Sequence, residues 1–173
     1  MSKQEEQRHI LSLIVDNEPG VLARIAGLFS GRGFNIESLC VAETIDPKVS
    51  RITLVTRGNM AIIEQIKKQL NKLINVIKVR DFTGTPCVQR ELLLIRVKAE
   101  PDKRAEILRM VDIFRARVVD VGSSSYTIEV TGDEGKVTAF LNLLRPMGIQ
   151  EVARTGAIAM ARDSSKEVKN GKH

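Results

Sequence analysis

Seven residues near the start of the chain, Asp16-Asn17-Glu18-Pro19-Gly20-Val21-Leu22, combine groups that could hold a small charged ligand. An alternating apolar run, His9 to Val15, leads in as a strand, and a run at helical spacing, Val21 to Arg32, leads out. A strand therefore stops at a turn of Asn, Pro and Gly, and a helix begins at once. The first N–H groups of a helix lack intrahelical acceptors and carry the positive end of its dipole. That geometry suits a carboxylate. Gly20 has no Cβ, so a ligand can lie close to the backbone there. Asn17 either caps the helix or hydrogen-bonds the ligand. A second amide, Asn35, stands in Gly33-Phe34-Asn35-Ile36-Glu37-Ser38-Leu39. It either closes a turn or joins Asn17 in reading amino and carboxylate groups. Val21, Leu22 and Ile36 offer an apolar lining. The two segments need not adjoin within one subunit; across a dimer they could face each other and enclose a small cavity.

No reaction centre accompanies these residues. The two histidines, His9 and His173, cannot build a His-centred triad or a zinc site, and His9 reads as an edge-strand residue. Glu43 and Asp46 could pair as carboxylates, an arrangement common on surfaces. Gly31-Arg32-Gly33 lies at a helix end, where no phosphate loop belongs. Ser123-Ser124-Ser125 fits a hairpin turn better than a nucleophile. No metal site is expected, and the loop reads as a sensor.

The 173 residues, 43% of them hydrophobic, can bury one sizeable core or two small ones. No apolar run approaches the ~20 residues needed to span a bilayer, and Met1 to Arg8 lacks the apolar centre of a secretory signal. A soluble protein of the cytoplasm is expected, or an organellar one with its targeting segment removed, without membrane association. Cys40 and Cys87 are too few for a disulfide framework and read as buried reduced thiols. The net charge of +6 comes from scattered basic residues, such as Lys67, Lys68 and Lys72 on a helix surface. Aromatic content is 3%, with no Trp, so the stacking platforms that single-stranded nucleic acid requires are missing. No nucleic-acid partner is expected.

One pattern is written twice. Strand 9–15, helix 20–32, strands 35–43 and 50–57, helix 60–74 and strand Val76 to Phe82 give the order β-α-β-β-α-β. After a linker at Gly84-Thr85-Pro86, strand Leu92 to Lys98, helix Pro101 to Ala116, strands Val118 to Val121 and Tyr126 to Thr131, a fourth helix lined by Val137, Phe140, Leu141 and Leu144, and strand Val152 to Met160 repeat it. The fold class predicted is α+β: two tandem ferredoxin-like units over residues 1–83 and 84–162, each an antiparallel sheet with both helices on one face. The tail, 163–173, is polar and aperiodic and reads as disordered. Two helices cover one sheet face only, and outer strands leave backbone groups unpaired. A homodimer is therefore expected.

The segments Asn17-Glu18-Pro19-Gly20-Val21-Leu22, Gly27-Leu28-Phe29 and Arg32 to Leu39 resemble the regulatory (small) subunit of acetolactate synthase, or acetohydroxyacid synthase. So do Ser50-Arg51, Glu64 to Leu70, Lys72-Leu73, Gln89-Arg90-Glu91, Ile113-Phe114-Arg115, Val119-Asp120-Val121 and Glu151 to Gly156. The resemblance implies that the first unit is an ACT domain, an amino-acid sensor that also dimerises. It implies a partner, the catalytic (large) subunit, which carries thiamine diphosphate, magnesium and FAD; the chain itself would hold no cofactor and catalyse nothing. It implies activation of that subunit and feedback inhibition by a branched-chain amino acid, valine first, in valine, leucine and isoleucine biosynthesis. The family's effector site falls on Asn17, Gly20, Val21, Leu22, Asn35 and Ile36. Ala23 stands where some relatives carry a hydroxyl. The second unit has Glu100-Pro101-Asp102-Lys103 at the corresponding turn, without the Asn and Gly, which argues against a second such site.

Three other functions share the fold order or the composition. An RNA-recognition module would need exposed aromatics on its third strand, and Arg51 to Thr56 has none. An independent enzyme would need a reaction centre. A free-standing ACT-domain sensor acting on another target is the remaining alternative.

Overall fold

The structure, a computed structural model, describes residues 6–163. The elements of the first half are β1 (Gln7–Asp16), α1 (Val21–Ser30), β2 (Ile36–Glu43), β3 (Val49–Gly58), α2 (Met60–Leu70) and β4 (Val76–Asp81). The second half has β5 (Cys87–Lys98), α3 (Arg104–Ile113), β6 (Arg117–Val121), β7 (Ser125–Gly132), α4 (Glu134–Gly148), β8 (Ile149–Arg154) and β9 (Ile158–Ala161). The βαββαβ order appears twice, as the α+β reading requires, with one additional strand at the end. The expected tail lies outside the described residues from 164 onward.

The first sheet has the order β2-β3-β1-β4, every neighbouring pair antiparallel. Strand alternation turns Leu11, Leu13 and Val15 of β1 and Ile52 and Leu54 of β3 to the helix-covered face. There Val21, Ile25 and Phe29 of α1 and Ile63, Ile66 and Leu70 of α2 complete the core. Each such side chain contributes roughly 1.5–3 kcal/mol by leaving water. α1 ends at Gly31, whose N–H bonds the Gly27 carbonyl at 2.8 Å, and the chain turns away through Gly33 at φ +70°. α2 starts with the Asn59 side chain accepting the Ile62 N–H at 2.9 Å.

His9 lies on an inner strand, not on an edge. It is buried, with Nδ1 2.7 Å from Thr83 Oγ1 and Nε2 3.0 Å from the Gly58 carbonyl. The first strand of a βαββαβ unit is flanked on both sides, and that placement is invisible in its local sequence.

The second sheet runs β6-β7-β5-β8, and β9 also pairs with β5. Its core gathers Leu93, Ile95 and Val97 of β5, Ile107 and Val111 of α3, Ile128 and Val130 of β7, and Val137, Phe140 and Leu144 of α4. The single strand expected over Val152 to Met160 is two strands. The break is at Thr155-Gly156-Ala157, where Gly156 takes φ +82°, a conformation other residues rarely adopt. Internal contacts group residues up to Val88 with those from Ala159, and Gln89–Ile158 as the other unit. Cys40 and Cys87 are not disulfide-bonded, and each is only half-buried.

Just before the break, the Arg154 guanidinium donates through Nε and Nη2 to both oxygens of Glu91, at 2.7 and 2.8 Å. Those hydrogen bonds hold the arginine above its ordinary pKa. The pair is unequal: the Glu91 side chain is 8% exposed and that of Arg154 48%. Removing the arginine strands a buried carboxylate, whereas removing the glutamate leaves a cation that water can reach. Urea unfolding should therefore show Arg154→Ala costing about 2–3 kcal/mol and Glu91→Ala about half as much. Equal losses would mean the pair is solvated.

Candidate functional site

The turn between β1 and α1 places Gly20 as the residue before the helix, at φ +86° and ψ −10°. This left-handed backbone, rather than crowding, is what requires glycine: a Cβ built there meets nothing within 4 Å. The first intrahelical bond is Arg24 N–H to the Gly20 carbonyl, at 3.0 Å, and Val21 N–H reaches back to the Glu18 carbonyl at 3.4 Å. The N–H groups of Leu22 and Ala23 lie ahead of the intrahelical ladder. Gly20 has no side chain to cap them, and the first turn of α1 contains no acidic residue. α2 and α4 are capped by Asn59 and Asp133 instead. The open space over Gly20 and these two donors are what a carboxylate needs.

Asn17 does not cap α1. Its Nδ2 donates to Glu43 Oε1 at 3.0 Å and to the Pro47 carbonyl at 2.9 Å, and its backbone N–H bonds the Lys48 carbonyl at 2.8 Å. Both amide protons thus tie the turn to the β2–β3 connection, leaving Oδ1 as the group able to meet a ligand. Glu43 is engaged here and Asp46 accepts from Lys48 N–H, so the two carboxylates serve separate bonds. Val21 is 4% exposed and belongs to the core; only its backbone faces the turn, while the Leu22 side chain is 42% exposed.

Asn35 and Ile36 stand at the other end of the sheet. Asn35 precedes β2, and its carbonyl accepts from Thr56 Oγ1 at 2.7 Å. Ile36 pairs with Thr56, which pairs with His9 near the start of β1, whereas Asp16 at the end of β1 pairs with Val49. Between Val49 and Thr56 lie seven steps of β3, about 24 Å at the strand rise. One subunit therefore does not bring Asn17 and Gly20 to Asn35 and Ile36.

The strand joining these two ends, β2, forms one edge of the sheet. Glu37 is displaced by a bulge and held by Arg57 and, at 3.9 Å, Arg8. Ser38 Oγ is buried and has no hydrogen-bond partner among the described residues. The second unit builds the turn equivalent to Gly20 differently. Lys103 precedes α3 in the right-handed helical region and gives no side-chain cap, Arg104 donates from Nε to the Ala99 carbonyl at 2.9 Å and from Nη2 to the Ser123 carbonyl at 2.6 Å, and Glu106 lies in the first turn of α3. Among the described residues no group of three or more His, Cys, Asp or Glu is placed to hold a metal, and no helix is long and apolar enough to cross a membrane.

Sequence reasoning did not find Glu43 or Asn75 as neighbours of the turn. Both reach it through pairing between segments far apart in the chain, and neither has a local signature.

A tandem pair of ferredoxin-like units, the first opening α1 on a bare left-handed glycine, is the arrangement of an ACT-type domain followed by a second unit of its own kind. Residues 11–78 match the family described as the AHAS small subunit-like ACT domain, and residues 90–163 that described as the small subunit of acetolactate synthase. The chain belongs to the family of acetolactate synthase small subunits. It is 55% identical over 159 residues to the probable acetolactate synthase small subunit of Archaeoglobus fulgidus, a match covering 92% of this chain and 99% of that one. It is 52% identical over 171 residues to the acetolactate synthase small subunit of Aquifex aeolicus, covering 97% and 88%. The crystal structure of the small subunit from Thermotoga maritima is similar at a TM-score of 0.81 and 43% identity, covering 90% of this chain and 98% of that one.

Because backbone conformation alone demands glycine at position 20, Gly20→Ala should cost about 1–2 kcal/mol, and Gly20→Asn, which tolerates the left-handed region, distinctly less. Thermal unfolding of the two variants checks this. An alanine variant as stable as the parent would show that the turn relaxes to negative φ.

Proposed function

We propose that this chain is the regulatory subunit that binds and activates a separate acetolactate synthase catalytic subunit and makes it sensitive to feedback by a branched-chain amino acid, valine first. The observation that carries the effector half is the bare helix start at Gly20, with its open space and the free N–H groups of Leu22 and Ala23. Membership of the small-subunit family supports the catalytic partner, which would carry thiamine diphosphate, magnesium and FAD while this chain holds none and turns over no substrate.

The site is completed by a second copy of the chain. Among the described residues β2 has a neighbour on one side only, so its other backbone edge is open to pairing. A twofold axis across that edge pairs β2 with its own copy antiparallel. The start of β2, with Asn35 and Ile36, then comes beside the partner's end of β2, and the Asn17–Glu43 bond fixes the effector turn at that end. The ligand carboxylate meets the helix start, its amino group meets amide oxygens, and its branched side chain lies against Leu22 and Ile36. Two equivalent sites result.

A short bis-maleimide should cross-link two copies through Cys40, at mid-β2, and the product should persist in Cys87→Ser and vanish in Cys40→Ser. Sedimentation showing only monomer at micromolar concentration would sink the shared site.

Gly20→Asp sets a negative charge against the ligand carboxylate. Two such charges at ~4 Å repel by roughly 1 kcal/mol in water and ~4 kcal/mol at a partly shielded site. Valine titration of the reconstituted enzyme should therefore need at least about tenfold more valine with this variant. Asn35→Ala should shift the curve less, by hydrogen bonds of ~0.5–1.5 kcal/mol each. Activation of the catalytic subunit should survive both changes. An unmoved inhibition curve with folded, dimeric Gly20→Asp protein would place the effector elsewhere. Acetolactate formed from pyruvate by this chain alone, with thiamine diphosphate and magnesium, would overturn the regulatory assignment.

A further inference from the structure

We infer that Asn75, in the connection from α2 to β4, is a positioning residue for the effector turn: it holds Glu18 away from the helix start that the ligand carboxylate needs. The inference rests on the effector site proposed above. Its basis is one side chain that joins three parts of the turn. Apart from that side chain, the Asn75 backbone carbonyl accepts the Asp16 N–H at 2.9 Å, where the turn begins. Its Nδ2 donates to Asp16 Oδ2 at 3.3 Å and to Glu18 Oε2 at 3.2 Å, inside the turn. Its Oδ1 accepts from Arg24 Nη1 at 2.8 Å, on the helix that leaves it. Only an amide can donate to two carboxylates and accept from a guanidinium at once.

The arrangement matters because of what Glu18 would otherwise do. Carboxylates are the preferred partners of free N–H groups at a helix start. Glu18 sits two residues before Gly20, in the same turn that leads to the Leu22 and Ala23 donors. Released, it would occupy them in place of the ligand and oppose the ligand's charge. Asn75 draws it to the β4 side, as Asn17 draws Glu43 toward the β2–β3 connection. Glu18 and Glu43, like Asp16 at the start of the turn, are thereby held by amides.

Two measurements on the full-length protein separate this inference from the site it serves. Amide hydrogen exchange without ligand should rise about tenfold over 16–24 in Asn75→Ala, with Gln89–Ile158 unchanged. Calorimetric titration with L-valine should show wild type binding, Gly20→Asp losing it, and Asn75→Ala weakened about five- to tenfold. Adding Glu18→Ala to Asn75→Ala should restore affinity to within about threefold of wild type, since the competing carboxylate is gone. Such rescue is not expected if Asn75 merely stiffens the fold. Unchanged exchange, unchanged valine affinity in Asn75→Ala, or a double variant no better than the single would each overturn the inference. Absence of valine binding by the wild type would overturn the effector reading and, with it, the role given to Asn75.

Discussion

A helix start with no side chain of its own to cap it is the feature on which the first unit turns. Gly20 takes a conformation reserved for glycine, so nothing grows from that point to cover the Leu22 and Ala23 N–H groups. Leaving such donors bare is unfavourable unless water or a ligand meets them. The surrounding side chains are engaged elsewhere. Asn17 is spent on Glu43 and the Pro47 carbonyl, Asn75 on Asp16, Glu18 and Arg24, and Val21 on the core. A turn whose only task was to reverse the chain could have used Asn17 as a cap, as α2 uses Asn59.

Strand order imposes the second constraint. With β3 between β1 and β2, and both pairs antiparallel, β1 and β2 run parallel in space without touching. The end of β1 then lies level with the end of β2, about 24 Å from its beginning. Asn35 cannot reach Gly20 in the same subunit by any rotamer change. In the proposed dimer a twofold across the β2 edge would remove that separation, because antiparallel self-pairing exchanges beginning for end. Assembly and ligand recognition would then be coupled, since an unpaired subunit would present two half-sites.

Much of this was legible in the sequence, for identifiable reasons. Element order, both helix faces and the doubled βαββαβ plan follow from apolar spacing, which burial on one face imposes on each element. The bare glycine turn was legible because Asn, Pro and Gly between a strand and a helix have few alternative uses. Features set by long-range pairing were not. His9 read as an edge residue because nothing local reports that β1 is flanked on both sides. One strand was expected over Val152 to Met160 because apolar alternation continues across Thr155-Gly156-Ala157, and only the positive φ of Gly156 reveals the break. Asn17 read as a cap or a ligand, while its partner, Glu43, lies 26 residues away across the sheet. Asn75 carried no signal at all.

The two halves show how little of this chemistry belongs to the fold itself. Both units have the same element order and a one-sided helix layer over an antiparallel sheet, with cores of the same kind. At the turn before α1 the chain leaves an opening; at the turn before α3 it places Arg104, whose guanidinium satisfies the Ala99 and Ser123 carbonyls, and Glu106 complements the helix dipole. The repeated architecture thus leaves its two turns free to differ: α1 opens on a left-handed glycine, α3 on Lys103 in the right-handed helical region, so the backbone conformation before the helix, and not the element order, distinguishes them.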